Sequence, residues 1–221
     1  MPIYKKVNVD FFKKWSPKMA YVLGFFMADG SIDINPRGSH YLSIQICDKE
    51  LLESIKKTLE SNHKISVRKG FGNESDKYRL QIGRKEMFED LQKLGVNQQK
   101  SHTMEMPKVP KKYFGDFVRG YFDGDGNVWV GFVHKERKTP TLVIHTVFTS
   151  CSRMFLNSLH NEIQEQGILG GGIICKKNAF CLKYSINDSL KLYKLMYNSL
   201  DNDLFLERKR IVFKEFAKLR V

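Results

Sequence analysis

The feature of this sequence that most constrains its fold is an internal repeat. Residues 21–32 read YVLGFFMADGSI, and residues 117–128 read FVRGYFDGDGNV, an offset of 96 positions. Both segments run aromatic, apolar, variable, glycine, two aromatics, variable, small residue, aspartate and glycine. Solenoid repeats recur at roughly 20–50 residues, so this spacing instead predicts two similar halves.

The other repeated segments follow in the same order in both halves. They pair 48–59 with 152–163 as amphipathic helices, 78–82 with 182–186 as strands, and 97–101 with 206–210 as short polar stretches. Residues 104–113, MEMPKVPKKY, carry two prolines and a lysine run, as linkers do. We therefore expect halves at 1–103 and 114–221, joined by a linker at 104–113.

Each half is predicted to run helix, two strands, helix, two strands, helix. Ser16 followed by Pro17 is typical of a helix start, and the residues of 17–29 are apolar all round, which predicts a buried helix. Asp48 and Ser152 are expected to cap the amphipathic helices that follow them.

Alternation of apolar and polar residues predicts half-buried strands at 41–46 and 78–82. It places four polar side chains on one exposed face: Ser43, Gln45, Arg79 and Gln81. In the second half, Lys183 and Ser185 are expected to occupy the places of Arg79 and Gln81.

The repeated segments carry small residues four positions apart, Gly24 with Ala28 and Gly120 with Gly124. This spacing places both on one helix face, where another backbone can approach closely. We therefore expect the two repeated helices to pack on each other.

Each of these helices ends in aspartate and glycine, and the glycine is expected to adopt the left-handed conformation that ends a helix. Asp29 and Asp125 then meet the negative end of a helix dipole, and pairing the helices brings the two carboxylates together. A divalent cation relieves both effects. Oxygen-only ligands favour Mg²⁺, which completes its shell with water and substrate phosphates.

Asp123, Asp125 and Asn127 also suggest the start of an EF-hand calcium loop. That loop needs a glycine at its sixth position and a glutamate at its twelfth, where this sequence has Val128 and His134. An EF-hand is therefore excluded. The four cysteines form no CxxC pair and the histidines are scattered, so neither a zinc site nor a disulfide framework is predicted.

The charge balance points to a polyanionic partner. The chain has 37 Lys and Arg against 24 Asp and Glu, a net charge of +13, which favours nucleic acid. No apolar run is long enough for a membrane span, and the first residues lack the apolar core of a secretory signal. An intracellular protein is expected, in a bacterial or archaeal cytoplasm or an organelle matrix.

The two segments VLGFFMADG at 22–30 and VRGYFDGDG at 118–126 resemble the motif of single-chain LAGLIDADG homing endonucleases. The resemblance implies an α+β fold of two pseudo-symmetric αββαββα halves, with motif helices at the interface and two antiparallel sheets forming a saddle over double-stranded DNA. It also implies a monomer. Met27 departs from the acid usual at that motif position, which Asp123 keeps.

The resemblance further implies an active site. Its metal ligands would be Asp29 and Asp125, with the carbonyls of Ala28 and Gly124. Its cofactor would be Mg²⁺, for which Mn²⁺ would substitute. Ca²⁺ would support DNA binding without cleavage. The basic residues near the cleavage centre would be Lys100 and Lys209. Asp48, and by position Ser152, resemble the residue that holds active-site water. The product would be a double-strand break with short 3′ overhangs.

Side chains on the exposed strand faces are expected to read bases, and peripheral lysines to contact phosphates. The base-reading set is Gln45, Arg68, Arg79, Gln81 and Lys183, and the phosphate set is Lys135, Lys138, Lys176 and Lys177. The halves differ at almost every such position, which predicts a long, asymmetric target.

Two other functions stay open at the level of the sequence. The first is an RNA maturase that assists splicing of its host intron; retention of Asp29 and Asp125 argues against a pure maturase. The second is a non-catalytic DNA-binding protein of the same fold, for which an added helix-turn-helix segment would be expected. Intein splicing is not expected, since Met1 offers no nucleophile and Val221 is not preceded by a His-Asn terminus.

Overall fold

The computed structural model describes residues 5–98, 103–198 and 204–219. The described residues of the first half form three helices and one sheet. Its elements are α1 (Pro17–Asp29), β1 (Gly30–Ile34), β2 (His40–Ile46), α2 (Lys49–Thr58), β3 (Ile65–Arg68), β4 (Lys77–Ile82) and α3 (Lys85–Lys93). This is the αββαββα order predicted from the sequence.

The second half repeats that order after a short 3-10 helix at Lys111–Tyr113 and then adds a further helix. Its elements are α4 (Phe114–Asp125), β5 (Gly126–Val133), β6 (Thr141–Ser150), α5 (Arg153–Glu165), β7 (Gly172–Lys176), β8 (Ala179–Tyr184), α6 (Ile186–Tyr197) and α7 (Glu207–Lys218). The repeat did not predict α7 as a separate element. Within the described residues, every helix is too short or too polar to cross a lipid bilayer.

The helix α1 forms where the sequence predicts it. The side chain of Ser16 accepts a hydrogen bond of 3.1 Å from the backbone N–H of Met19, and Pro17 occupies the first turn. The serine thereby satisfies one backbone N–H that would otherwise lack a partner at the helix start. The proline has no N–H and so removes another. The helix is buried from Met19 to Met27, so it forms the centre of the molecule.

The helices α1 and α4 pack backbone to backbone. A Cβ atom on Gly24 would overlap the carbonyl oxygen of Phe117, and one on Gly120 would overlap that of Tyr21. Larger side chains at either glycine would therefore force the helices apart. The predicted packing of the repeated helices is confirmed.

Glycine is required after each of these helices, but for a physical reason other than the one predicted. Gly30 has φ −91° and ψ 159°, and Gly126 has φ −96° and ψ 161°, so both are extended and begin strands. The left-handed helix ends predicted from the sequence are wrong. A Cβ atom at Gly30 would collide with the ring of Phe26, and one at Gly126 with Phe122. Glycine is required here for space.

Each half forms one four-stranded antiparallel sheet. The strand orders are β1-β2-β4-β3 and β5-β6-β8-β7. One face of each sheet packs on the helices, with Ile44, Leu80, Phe148 and Leu182 in the core. We call the opposite face the outer face, since side chains alternate between the two faces along each strand.

The strand register corrects one predicted correspondence between the halves. In the first sheet Ser43 lies opposite Gln81 and Gln45 opposite Arg79, so these four share the outer face. In the second sheet the pairs are Val147 with Lys183 and Thr149 with Cys181. Lys183 therefore occupies the place of Gln81 and not that of Arg79. Ser185 lies beyond β8 and precedes α6, so its predicted place on the strand is also wrong.

Candidate active site

A polar cleft lies at the C-terminal ends of α1 and α4. It has a volume of about 310 Å³. The lining residues come from both halves: Phe25, Asp29, Gln45, Ile46, Cys47, Asp48, Lys77, Asp123, Gly124, Leu206 and Arg208. Four residues singled out in the sequence, Asp29, Asp48, Gln45 and Gly124, are thus brought together. Asp125 follows Gly124 directly and is exposed.

The close approach of the two helix ends sets the position of Asp29. A Cβ atom built on Gly124 would overlap that of Ala28 and would lie 3.1 Å from Oδ2 of Asp29. The carboxylate of α1 therefore lies directly against the backbone of α4. Glycine at position 124 makes this contact between the halves sterically feasible.

Lys209 lies beneath the end of α4. Its ammonium group donates hydrogen bonds to the carbonyl oxygens of Phe122 (2.7 Å), Asp123 (2.8 Å) and Gly126 (2.7 Å). An ammonium group has three donors, and all three are used on backbone. The side chain is buried, with 7% of the residue exposed. A cation of the protein itself thus stabilises the negative end of the α4 dipole.

The charges of the two motif carboxylates act on Lys209. Burial lowers the pKa of Lys209 to about 8, while the charges of Asp123, Asp29 and Asp125 act in the opposite direction. Both Asp29 and Asp125 are therefore within electrostatic range of one ammonium group. Asp29, Asp125 and Lys209 lie far apart in the sequence, and the fold brings them into one region.

The donor set at this point fits a hard divalent cation. The described residues contain no group of three or more His, Cys, Asp or Glu side chains suited to a metal. Asp29 and Asp125 supply oxygen only, and the carbonyls of Ala28 and Gly124 are not among the acceptors of Lys209. Two carboxylates with backbone oxygens, completed by water and phosphate, match the preference of Mg²⁺.

Asp48 pairs with a residue that we did not single out. Its carboxylate accepts hydrogen bonds from Arg208 at 2.8 Å and 3.4 Å, and it does not cap α2 as predicted. Arg208 belongs to α7 and Asp48 to the first half, so this ion pair crosses the cleft. The only sequence signal for Arg208 is its place beside Lys209 in a basic run.

Ser152 lies in the core, although by position it was predicted to contact active-site water. It caps α5 by accepting from the N–H of Phe155 at 3.2 Å, and its hydroxyl donates to the carbonyl of Met104 at 2.7 Å. The residue is buried and does not line the cleft. The two halves are therefore chemically unequal at this position.

Asp123 joins three elements at the edge of the cleft. One carboxylate oxygen accepts from the hydroxyl of Tyr21 on α1 at 2.8 Å and from the N–H of Leu206 before α7 at 3.0 Å. Burial raises its pKa from 3.8 to about 6, although the hydrogen bond from Tyr21 and the charge of Lys209 both lower it. The contacts of Asp123 indicate a role in packing the helix ends.

Arg119 fixes the segment that leads into α7. Its buried guanidinium donates to the carbonyls of Met196 and Leu204 and to the carboxylate of Asp116. In the repeat this position corresponds to Leu23, and no local pattern signals that an arginine here is buried. Together with Asp123 and Lys209, it holds α7 against the foot of α4.

The predicted nucleic-acid contacts fall into two groups on the surface. Gln45, Arg79, Gln81 and Arg68 lie on the outer face of the first sheet, where Arg79 also donates to Ser43 at 3.3 Å, and Lys183 lies on the outer face of the second. Lys135, Lys138, Lys176 and Lys177 are exposed at the ends of hairpins in the second half. Lys100 lies outside the described residues.

Comparison with known proteins agrees with the fold. Residues 16–95 match the model of the LAGLIDADG-like domain. This stretch lies within the N-terminal half and is similar to a LAGLIDADG-like domain. The resemblance drawn from the repeat is thereby confirmed for this half, and the solved structures extend the fold to the second.

Three solved structures illustrate the shared LAGLIDADG fold. The LAGLIDADG meganuclease I-AabMI bound to uncleaved DNA has a TM-score of 0.61 at 14% identity, covering 93% of this chain and 90% of that one. The K262A mutant of I-SmaMI has a TM-score of 0.63 at 12% identity, with the same coverage. The I-LtrWI LAGLIDADG homing endonuclease bound to target DNA has a TM-score of 0.57 at 16% identity, covering 96% and 92%.

A curated relative matches part of the chain. An uncharacterized protein of Methanocaldococcus jannaschii is 30% identical over 117 residues, which are 51% of this chain and 40% of that protein. The match thus spans less than half of the relative's length.

Proposed function

We propose that this protein is a site-specific endonuclease that hydrolyses both strands of a long, asymmetric DNA duplex. The observation that carries the proposal is that α1 and α4, which end in Asp29 and Asp125, pack backbone to backbone with their C-terminal ends in contact. Gly124 brings the α4 backbone against the carboxylate of Asp29, and both carboxylates act on Lys209. The cleft beside them is lined by residues of both halves, on a chain of net charge +13.

The outer faces supply the DNA contacts in this proposal. Gln45, Arg79, Gln81, Arg68 and Lys183 would face base edges in the major groove, since their positions alternate with core residues along the strands. The hairpin lysines would contact phosphates and fix the register of the protein on the duplex. Two of the three solved structures compared above, those of I-AabMI and I-LtrWI, are described as bound to DNA.

Asp29 and Asp125, with the carbonyls of Ala28 and Gly124, would hold Mg²⁺ in this site, and Mn²⁺ would substitute. Such an ion, when bound, lowers the pKa of water and stabilises the departing oxygen of a phosphodiester. Ca²⁺ would support binding without cleavage. A solved structure of I-SmaMI is described as bound to uncleaved DNA in the presence of calcium ions.

The other residues of the site divide into positioning and contact groups. Lys209 would position the end of α4, because its donors are all used on backbone carbonyls. Arg208 is exposed at the cleft and would contact a phosphate while Asp48 orients it and holds water. Lys100 would supply a second cation to the first half. The chain would act as a monomer and leave short 3′ overhangs.

The experiment begins with selection of bound duplexes from a randomised library in Ca²⁺. Selected duplexes are then incubated with the protein in Mg²⁺, and the ends are mapped on both strands. The proposal expects cleavage within one short window of the selected sequence. Tight, selective binding with both strands intact in Mg²⁺ and Mn²⁺ would reject the nuclease and leave a DNA-binding protein.

A further inference from the structure

The outer faces of the two sheets differ in chemistry at matched positions. The register equates six positions of the first sheet with six of the second: Asp33 with Trp129, Tyr41 with His145, Ser43 with Val147, Gln45 with Thr149, Arg79 with Cys181, and Gln81 with Lys183. All six residues of the first sheet are polar. Three of their counterparts, Trp129, Val147 and Cys181, are apolar.

Trp129 stacks on His145 and leans over Gly131. Its ring stacks on that of His145, with centroids 5.8 Å apart and an angle of 9° between the planes. A Cβ atom on Gly131 would overlap the indole, so the ring lies over the glycine two positions along β5. Even so, 45% of Trp129 is exposed. The strand thus displays a fixed apolar surface where the first half displays Asp33.

A shallow depression of about 290 Å³ adjoins this stack. It is lined by His145, Gly171, Gly172, Ile173, Ile174, Lys183 and Ser185. Ile174 is 52% exposed on the same face. Burial, and then the charge of Lys183, lowers the pKa of His145, so the lysine lies close to the imidazole. A cationic donor and an apolar wall therefore share one concave surface.

We propose that this C-terminal subsite, formed by Trp129, His145, Val147, Ile174 and Lys183, reads thymine in the major groove. The inference rests on the proposed function. In that groove thymine presents an acceptor, O4, and a methyl group at C5, whereas cytosine presents a donor and no methyl group. Lys183 donates to O4, and the apolar side chains contact the methyl group.

The charge around the subsite favours DNA over other occupants. Lys135, Lys138, Lys176 and Lys177 are all exposed at the hairpin ends of the same sheet. A second copy of this face would bring like charges together, whereas a duplex places phosphates on both sides of the groove that the subsite faces. The apolar residues are then at the centre of a basic surface and the cations at its edge.

The test replaces one chemical group at a time in a selected duplex. Thymines in the half-site contacted by the second sheet are changed to uracil, which lacks the methyl group, to 5-methylcytosine, which lacks O4, or to cytosine, which lacks both. The half-site is identified as the positions whose base preference changes in selections with Trp129→Ala. The same changes in the other half-site serve as the matched control.

We expect each critical uracil to raise Kd in Ca²⁺ about fourfold, the effect of burying one methyl group. Cytosine should raise it more than either single change, and the control half-site should respond less. Trp129→Ala with Ile174→Ala should remove the preference for thymine over uracil. Lys183→Met should instead remove the preference for thymine over 5-methylcytosine. Circular dichroism verifies that the variants fold.

Three results would overturn the inference. Equal affinity for thymine and uracil throughout that half-site, in a duplex that is bound tightly and cut, rejects the subsite and leaves the proposed function standing. Absence of any selected duplex rejects both together. A dimer in sedimentation that Trp129→Ala dissociates assigns the apolar face to a second copy of the chain instead.

Discussion

Lys209 donates a hydrogen bond of 2.7 Å to the carbonyl oxygen of Gly126, so a cation of the protein lies at the helix end that carries Asp125. From the sequence we predicted that a divalent cation relieves the charge at this point. The structure shows that α4 keeps its end in place through a buried lysine from α7. A side chain of the protein itself therefore holds the helix foot.

Replacing Lys209 with Met should destabilise the protein. Three backbone carbonyls would lose a charged donor in a buried setting, and we expect the free energy of unfolding to fall by about 2–4 kcal/mol. Urea unfolding followed by circular dichroism measures this. Cleavage should fall as well, since the position of Asp125 depends on the end of α4. Lys214→Met, also on α7 but half-buried and paired with Glu207, is the matched control. An unchanged urea midpoint in Lys209→Met would contradict the positioning role.

Replacing Asp29 or Asp125 with Asn should abolish cleavage and preserve DNA binding. Each change removes one of the two carboxylates proposed to hold the metal, and the loss should reach about a hundredfold or more in rate. A plasmid that carries the selected site, incubated in Mg²⁺, gives the rates of nicking and linearisation on a gel. Asp123→Asn is the control: its carboxylate bonds to Tyr21 and Leu206, so most activity should remain. Full cleavage by Asp125→Asn would remove that residue from the ligand set.

Asp123 should give the stability of the protein a specific pH dependence. Its pKa is about 6 in the fold against 3.8 as its ordinary value, so between these values the folded protein binds more protons than the unfolded chain. The contribution of this group to the free energy of unfolding is fully present below about pH 4 and is lost as the pH rises through 6. The total loss is on the order of 3 kcal/mol. Asp123→Asn should lack this loss. The difference in unfolding free energy between the two proteins, measured at pH 4.5, 5.5 and 7, should shift in favour of the variant.

The hydroxyl of Tyr21 provides an independent check on this pH window. Its hydrogen bond lowers the pKa of Asp123, so Tyr21→Phe should move the loss of stability to higher pH. A window that stays in place, or moves down, would contradict the assignment of the titration to Asp123.

DNA affinity should fall steeply with salt. If six or more phosphates are neutralised, binding in Ca²⁺ should weaken by about a thousandfold between 50 and 200 mM salt. Fluorescence anisotropy with a labelled duplex measures the slope. A nearly flat dependence would argue against the basic saddle.

Arg79 and Lys176 should affect binding in different ways. Arg79 lies on the outer face beside Gln45, so Arg79→Ala should change the preferred base at a few positions. Lys176 ends β7 and is exposed, so Lys176→Ala should weaken binding to all sequences alike and reduce the salt slope. Selection profiles of the two variants decide the matter: an unchanged profile for Arg79→Ala would remove it from the base-reading set.

The sequence by itself determined the elements and their order, because these follow from local patterns. The start of α1 at Ser16 and Pro17, the alternation along β2 and β4, and the paired small residues of the two helices were all predicted and observed. The repeat added the pairing of the halves, and with it the meeting of Asp29 with the α4 end.

Only the tertiary structure decided how side chains meet across those elements. A strand that slips by two residues keeps the same face, so alternation could not distinguish the place of Lys183 from that of Cys181. The partners of Lys209 and Asp48 are more than eighty residues away along the chain, and no local pattern encodes such contacts. Glycine at 30 and 126 likewise has the signature of a helix end, yet crowding by Phe26 and Phe122 is what requires it. Local propensity specifies the elements, whereas register, burial and long-range charge pairing depend on how those elements pack.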